Sequence, residues 1–364
     1  MARDVRKAYP GSNFADELVA SYVETPALKA ALMQDGRLWI EDIPVPNPGE
    51  GEVLVATKAC GICGSDLHAL QHTKAFIQTS RAVGDGFKLT TEEPVVLGHE
   101  FCGEIVDFGQ GTGDQYRVGD LVCSMPVLLR SKMIGLGFSD VAPGGFAEYM
   151  VLSERLLNPV PTGLDATTAA LTEPLAVGMH AVNKANLRSE DQVLVVGSGP
   201  VGLAIIAVLS MRGFEVVASD FSHGRRALAE RLGARTVVDP NIENPLADIQ
   251  WPQDGHTVIF ECVGVKGMID QIFANAPRQS RIVVVGVCLE IDESRPLIAI
   301  NKELSMQYVL GYTPVEFTET LRLLGSGQLN VAGLVTDQVP LREVITAFER
   351  LSDPNTDGKI LVIP

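Results

Sequence analysis

Between Cys60 and His68 the chain sets two thiols, a hydroxyl, a carboxylate and an imidazole: Cys60-Gly-Ile-Cys63-Gly-Ser65-Asp66-Leu-His68. Thiolate and imidazole are metal donors, and the groups between them can carry a proton. A Cys-x-x-Cys could be half of a four-thiolate zinc site, but the other cysteines, at 102, 123, 262 and 288, offer no second close pair. His99-Glu100 follows Gly98 and opens an apolar run, and Glu173-Pro174 stands where the β-rich half gives way to alternating strands and helices. One thiolate, one imidazole and one carboxylate from such distant segments could make an open tetrahedral zinc site, its fourth position left for water or substrate. Taken singly, Cys63, His99 and Glu173 each read better as structural residues. Cys60, Cys102, Cys123, Cys262 and Cys288 read as small core residues, and His72, His180, His223 and His256 as structural or surface ones.

A second constellation is Gly197-Ser198-Gly199-Pro200-Val201-Gly202, a G-x-G-x-x-G. Alone the pattern is weak. Here it follows the strand-like QVLVVG and opens a helix with Pro200 in its first turn, the context that gives it a mechanism. Gly197 permits the tight turn, Gly199 lets backbone approach a pyrophosphate, and Gly202 lets helix and strand pack closely. Asp220 ends the next strand, 18 residues after Gly202, where an acid binds both adenosine ribose hydroxyls and repels a 2′-phosphate. That favours NAD over NADP. Arg225 and Arg226 follow closely and could soften the preference, and Asp220 could instead be a plain turn residue.

These residues need a scaffold, and 364 residues suffice for two domains. A composition of 46% hydrophobic and 20% charged residues, with 35 Gly and 21 Pro, fits a globular protein rich in tight turns and excludes a disordered or coiled-coil chain. The net charge of −16 argues against nucleic-acid binding. The N-terminal MARDVRKAYPGSNF lacks an apolar core for a secretory signal, and the uncharged stretch Val193 to Met211 is cut by glycines and Pro200. The expectation is therefore a cytoplasmic protein without a membrane span. From 192 to 311, six apolar runs (QVLVVG, EVVAS, RTVVD, TVIFEC, RIVVVGV and SMQYVLG) with helical connections predict a doubly wound parallel sheet. EVLVATKAC, HEFCGEIVDFG, DLVCSMPV and GGFAEYMVL predict an all-β sandwich or partly closed barrel before it, and the C-terminal GKILVIP is a strand expected to return there. The boundaries expected are 1–172 with 313–364 for the β-rich domain and 173–312 for the nucleotide domain.

In combination, IPVPNPGEGEVLV, CGICGSDLH, VLGHEFCGEIV, GGFAEY, EPLAVGMHAV, VGSGPVG, FECVG and KILVIP resemble the zinc-containing alcohol dehydrogenases of the medium-chain dehydrogenase/reductase superfamily, from about Ala27 to Pro364. The resemblance implies a mainly β, GroES-like, partly open barrel catalytic domain beside an α/β Rossmann domain. It makes Cys63, His99 and Glu173 the ligands of one catalytic zinc. Glu at 173, where the alcohol-specific branch has Cys, points to the polyol and sugar branch. It makes Glu100 an acid behind the zinc that ligates transiently, so Glu100 and Glu173 both remain candidates for the resting third ligand. Asp66 would fix the tautomer of His99, and Ser65 and His68 would relay the alcohol proton to solvent. Gly197, Gly199, Pro200, Val201, Gly202, Asp220, Arg225, Cys262 and Val285 would line the NAD site.

The implied reaction is hydride transfer between NAD and a secondary alcohol, a polyol, diol or related hydroxy compound, in a homodimer or homotetramer. A zinc-independent NADPH reductase of enones or quinones is the alternative within the superfamily, and a non-catalytic nucleotide-binding sensor the alternative outside enzymes. Two departures from the family stand out. The region DLVCSMPVLLRSKMIGLGFSDVAPGG holds only Cys123 where many members carry four cysteines, so no structural zinc is expected. The segment 69–97 is long and is expected to border the substrate cleft.

Overall fold

The computed structural model describes residues 27–83, 89–252, 255–353 and 358–364. The N-terminal 1–25 and, within the long segment, residues 84–88 lie outside them. The first half is built mainly from short strands: β1 (Ala27–Gln34), β2 (Arg37–Pro44), β3 (Glu52–Gly61), then helices α1 (Gly64–Gln71) and α2 (Thr73–Val83). β4 (Val95–Val96), β5 (Glu100–Phe108), β6 (Leu121–Ser124), β7 (Val127–Leu129), β8 (Met133–Gly135), β9 (Tyr149–Ser153) and β10 (Leu157–Pro159) follow. β9 starts later than GGFAEY suggests, with Ala147 making only an isolated bridge to Ala30. Cys102 and Cys123, distant in sequence, are directly opposed across β5 and β6 and fully buried.

Two helices, α3 (Ala166–Ala169) and α4 (Thr172–Lys184), lead into the second half. There β11 (Gln192–Val196), α5 (Pro200–Met211), β12 (Val216–Ser219), α6 (His223–Arg231), β13 (Thr236–Val238), β14 (Thr257–Glu261), α7 (Met268–Asn275), β15 (Arg281–Val284), α8 (Pro296–Lys302) and β16 (Ser305–Tyr308) alternate. The six strands pair in parallel in the order β13-β12-β11-β14-β15-β16. This doubly wound order reverses between β11 and β14, and a ligand binds in the crevice at their carboxyl ends. Their apolar runs are covered on both faces, as parallel strands require: Val193, Leu194, Val195, Val258, Ile259 and Phe260 have no exposed surface. The uncharged Val193–Met211 stretch is thus strand, turn and helix, and among the described residues no helix is long and apolar enough to cross a membrane.

After α9 (Pro314–Gly325), β17 (Val335–Pro340) and α10 (Val344–Leu351), β18 (Lys359–Ile363) returns to the first half. The seven-stranded sheet there runs β10-β6-β5-β3-β18-β17, with β9 also pairing with β3. Leu361 and Val362 pair with Gly61 and Cys60, so the last strand lies beside the exit into Cys63.

A polar clasp joins α4 to α9. Glu316 accepts from Asn183 Nδ2 at 2.6 Å and from Thr313 N and Oγ1 at 2.8 Å each, and its Oε2 lies 2.8 Å from His180 Nδ1. Burial opposes the charge on Glu316, but these donors win and pull its carboxyl down to about 2. A carboxyl with a lowered folded-state pKa stabilises above its unfolded value and loses that contribution as pH falls through the folded one. We expect Glu316→Gln to cost about 1–2 kcal/mol at pH 7, allowing for water at the clasp's rim, with the gap to the native chain closing between about pH 4.5 and 2. Urea unfolding midpoints measured across that range check it.

Candidate functional site

Cys63 stands at the N-cap of α1, where β3 ends, and His99 stands one residue before β5. Ligating atoms of Cys63, His99 and Glu100 lie within 4.8 Å of one another, the one such group of three among the described residues. Asp66 braces two of them. Its Oδ2 accepts from Cys63 N at 3.0 Å, and its Oδ1 lies 3.3 Å from His99 Nδ1. That second contact is too oblique to count as a formed hydrogen bond, so a buried imidazole nitrogen and a buried carboxylate oxygen wait on a small adjustment. Because Nδ1 turns to Asp66, Nε2 is the nitrogen left for a metal. Burial lowers the affinity of His99 for a proton, yet Asp66 and Cys63 outweigh it and raise its pKa well above 6.5. The site calls for a cation, and the donor set (sulfur, nitrogen, carboxylate oxygen) is one zinc accepts.

Glu173, in the first turn of α4, stands outside the group of three. Desolvation pushes its carboxyl up to about 7, with His99 opposing and Glu100 adding to the rise. The Tyr312 hydroxyl stands beside that carboxyl and favours the charged form. The structure thus brings Cys63 and His99 together as expected and, of the two carboxylates that were both candidates for the third ligand, places Glu100 in their group.

Ser65 Oγ lies 3.2 Å from His99 Nε2, and His68 follows one turn later on the same face of α1. Desolvation, and then the neighbouring His72, lower the pKa of His68 below its usual 6.5, so it is neutral at pH 7 and able to take a proton.

Three residues at the site escaped the sequence reading. Lys359, on β18, is 1% exposed, and its Nζ donates to Glu100 Oε1 at 2.8 Å, Glu100 Oε2 at 2.6 Å and the Ile62 carbonyl at 3.0 Å. Tyr312, between β16 and α9, stands beside Glu173. Phe138 packs its ring 5.1 Å from that of His99 and 5.5 Å from that of Phe76 on α2. The long segment therefore reaches His99 through two aromatic rings, Phe76 and Phe138. The only sequence signal for Lys359 is a lone charge opening an otherwise apolar strand.

At the crevice, Gly197 has φ +91°, and a Cβ on Gly202 would fall 2.0 Å from the Gly197 carbonyl, so the turn and helix start can close only around glycine. Val201 follows Pro200 in the first turn of α5. Asp220 Oδ2 accepts from Ser198 N and Oδ1 from Ser222 N, each at 2.8 Å, so it fastens the glycine loop as well as standing at the end of β12. The turn-residue reading and the ribose reading are both compatible with this. The two arginines separate. Arg226 is tied to Asp239 and to the carbonyls of Asp220 and Phe221. Arg225 leaves its buried Nε unpartnered, and its Nη1 lies 4.0 Å from where a Cβ on Gly199 would be. Cys262 and Val285 sit at the carboxyl ends of β14 and β15, their amides bonded to Val196 O and Glu261 O at 2.9 Å each.

Comparison with known proteins agrees with this geometry. Residues 49–162 match the alcohol dehydrogenase GroES-like domain, and residues 200–326 match the zinc-binding dehydrogenase domain. The (R,R)-butanediol dehydrogenase of Bacillus subtilis (strain 168) is 34% identical over 352 residues, 93% of this chain and 100% of that one. Sorbitol dehydrogenase of the same organism is 30% identical, over 93% of this chain and 97% of its own. Among solved structures, a zinc-binding dehydrogenase of Sinorhizobium meliloti 1021 bound to NADP superposes with a TM-score of 0.79 at 27% identity, covering 93% of this chain and all of that one.

Proposed function

The chain belongs to the zinc-containing alcohol dehydrogenases of the medium-chain dehydrogenase/reductase superfamily, alongside butanediol and sorbitol dehydrogenases, and from that membership we propose that it is a zinc- and NAD-dependent dehydrogenase of a vicinal diol or polyol. The observation that carries the reading is the convergence of Cys63, His99 and Glu100 within 4.8 Å, with Ser65 beside His99. Cys63 and His99 would hold the metal, with Glu100 and Glu173 as the carboxylates that complete or exchange at it. When bound, zinc polarises the hydroxyl oxygen of the substrate and lowers its pKa, and the nicotinamide accepts the hydride.

The chain's own groups do the rest. Asp66 keeps Nε2 of His99 directed at the metal. Ser65 Oγ receives the alcohol proton, and the neutral His68 passes it towards solvent. Phe138 shields one side of His99 from water. The glycine loop offers its amides to the pyrophosphate, Arg225 adds a guanidinium beside it, and Asp220 takes the adenosine ribose hydroxyls. Pairing between two copies is proposed at β16. It is the outer strand of its sheet, its four residues, Met306 and Tyr308 among them, are all exposed, and the exposed Leu310 follows it.

The test is zinc content by elemental mass spectrometry on protein purified without added metal or chelator, followed by oxidation of 2,3-butanediol and sorbitol with NAD and with NADP. A single zinc per chain and faster turnover with NAD are expected. No zinc, together with failure of added zinc to bind, would overturn the reading in favour of a zinc-independent reductase.

A further inference from the structure

One carboxylate at the site is claimed from two sides. Glu100 belongs to the group with Cys63 and His99, yet both its oxygens already accept from the Lys359 ammonium. Both side chains are 1% exposed. The ammonium is itself fixed, because the Ile62 carbonyl takes its third hydrogen. The carboxylate has little room to swing away: a Cβ on Gly61 would lie 2.1 Å from Glu100 Oε2.

We propose that Lys359 governs how firmly zinc is held, by tying Glu100 down and standing as a permanent positive charge behind it. The inference rests on the zinc reading above. A thiolate and a carboxylate together neutralise a divalent cation, but Lys359 shares the carboxylate and cancels part of the charge that Glu100 offers the metal. Repulsion between two cations flanking one buried carboxylate is strong where water does not screen it. Glu100 is thereby a weak ligand, and the position it fills is easily yielded to Glu173, water or substrate. Lys359 spends its three hydrogens on Glu100 and the Ile62 carbonyl, so it acts through the carboxylate as a positioning residue.

The experiment follows zinc transfer from the holoenzyme to a chromogenic chelator in the native chain, Lys359→Arg and Lys359→Met. The methionine variant frees Glu100 for the metal, so release should slow by about tenfold or more. The arginine variant keeps the charge and should release zinc at the native rate. Removing zinc should also lower the melting temperature of Lys359→Met more than that of the native protein, because Glu100 then loses its last counter-ion. Release from Lys359→Met at the native rate or faster would overturn the proposal. So would a Lys359→Met chain that fails to fold even in excess zinc, which would make the lysine a core strut and nothing more. If the native chain binds no zinc, the functional reading itself falls. If it binds zinc and the variants release it alike, only this inference does.

Discussion

Cys63→Ser is expected to yield a folded protein that retains no zinc and turns substrate over about a thousandfold more slowly, or worse. A neutral hydroxyl is a far poorer zinc ligand than a thiolate, and loss of the Lewis acid removes several kcal/mol of transition-state stabilisation, about 4 kcal/mol for that rate. The fold should survive because the bond from Cys63 N to Asp66 Oδ2 is made by main chain and does not depend on the sulfur. The glycine loop is built from other segments, so NAD affinity should stay within about twofold. Metal analysis and a fluorescence titration with NADH, run on the same preparation, separate the two effects. Turnover near the native rate would remove Cys63 from the ligand set.

The second large effect is expected at Asp220. Its replacement by serine removes the charge that would accept from two ribose hydroxyls, each such bond worth ~1.5–3 kcal/mol, so kcat/KM with NAD should fall by about a hundredfold. With NADP it should rise, because the repulsion of a 2′-phosphate disappears. The structure adds a complication that the sequence hides. Asp220 also fastens Ser198 and Ser222 amides, so part of the loss is looser packing of the glycine loop and should fall on both cofactors alike. The ratio of the two kcat/KM values cancels that shared part. An unchanged ratio would mean that the acid serves only the loop.

What the sequence disclosed depended on how far each interaction reaches along the chain. The glycine loop, its strand and its helix are neighbours in sequence, and the apolar runs of β11, β14 and β15 announce burial on both faces. Cys63, Ser65, Asp66 and His68 lie on one strand exit and one helix, so their grouping was legible too. Choosing between Glu100 and Glu173 was not, because each is adjacent in sequence to nothing that ranks their distance from Cys63. Arg225 and Arg226 are alike as letters, and only folding gives one of them Asp239. Cys102 and Cys123 look unrelated until the register of β5 against β6 opposes them. Lys359 was the least visible of all. A lysine opening a strand reads as a solvent-facing charge, and the carboxylate that makes it bury is 259 residues away.

That separation has a consequence in time. At a synthesis rate of roughly 5–20 residues per second, Glu100 leaves the ribosome some tens of seconds ahead of Lys359. Cys63, His99 and Glu100 are therefore displayed on a nascent chain that has no β18, and the carboxylate is then free of its competing ammonium. If the site holds zinc as proposed, the window of most avid capture would open before the nucleotide-binding sheet has been made. It would close when β18 docks between β3 and β17 and brings Lys359 to Glu100.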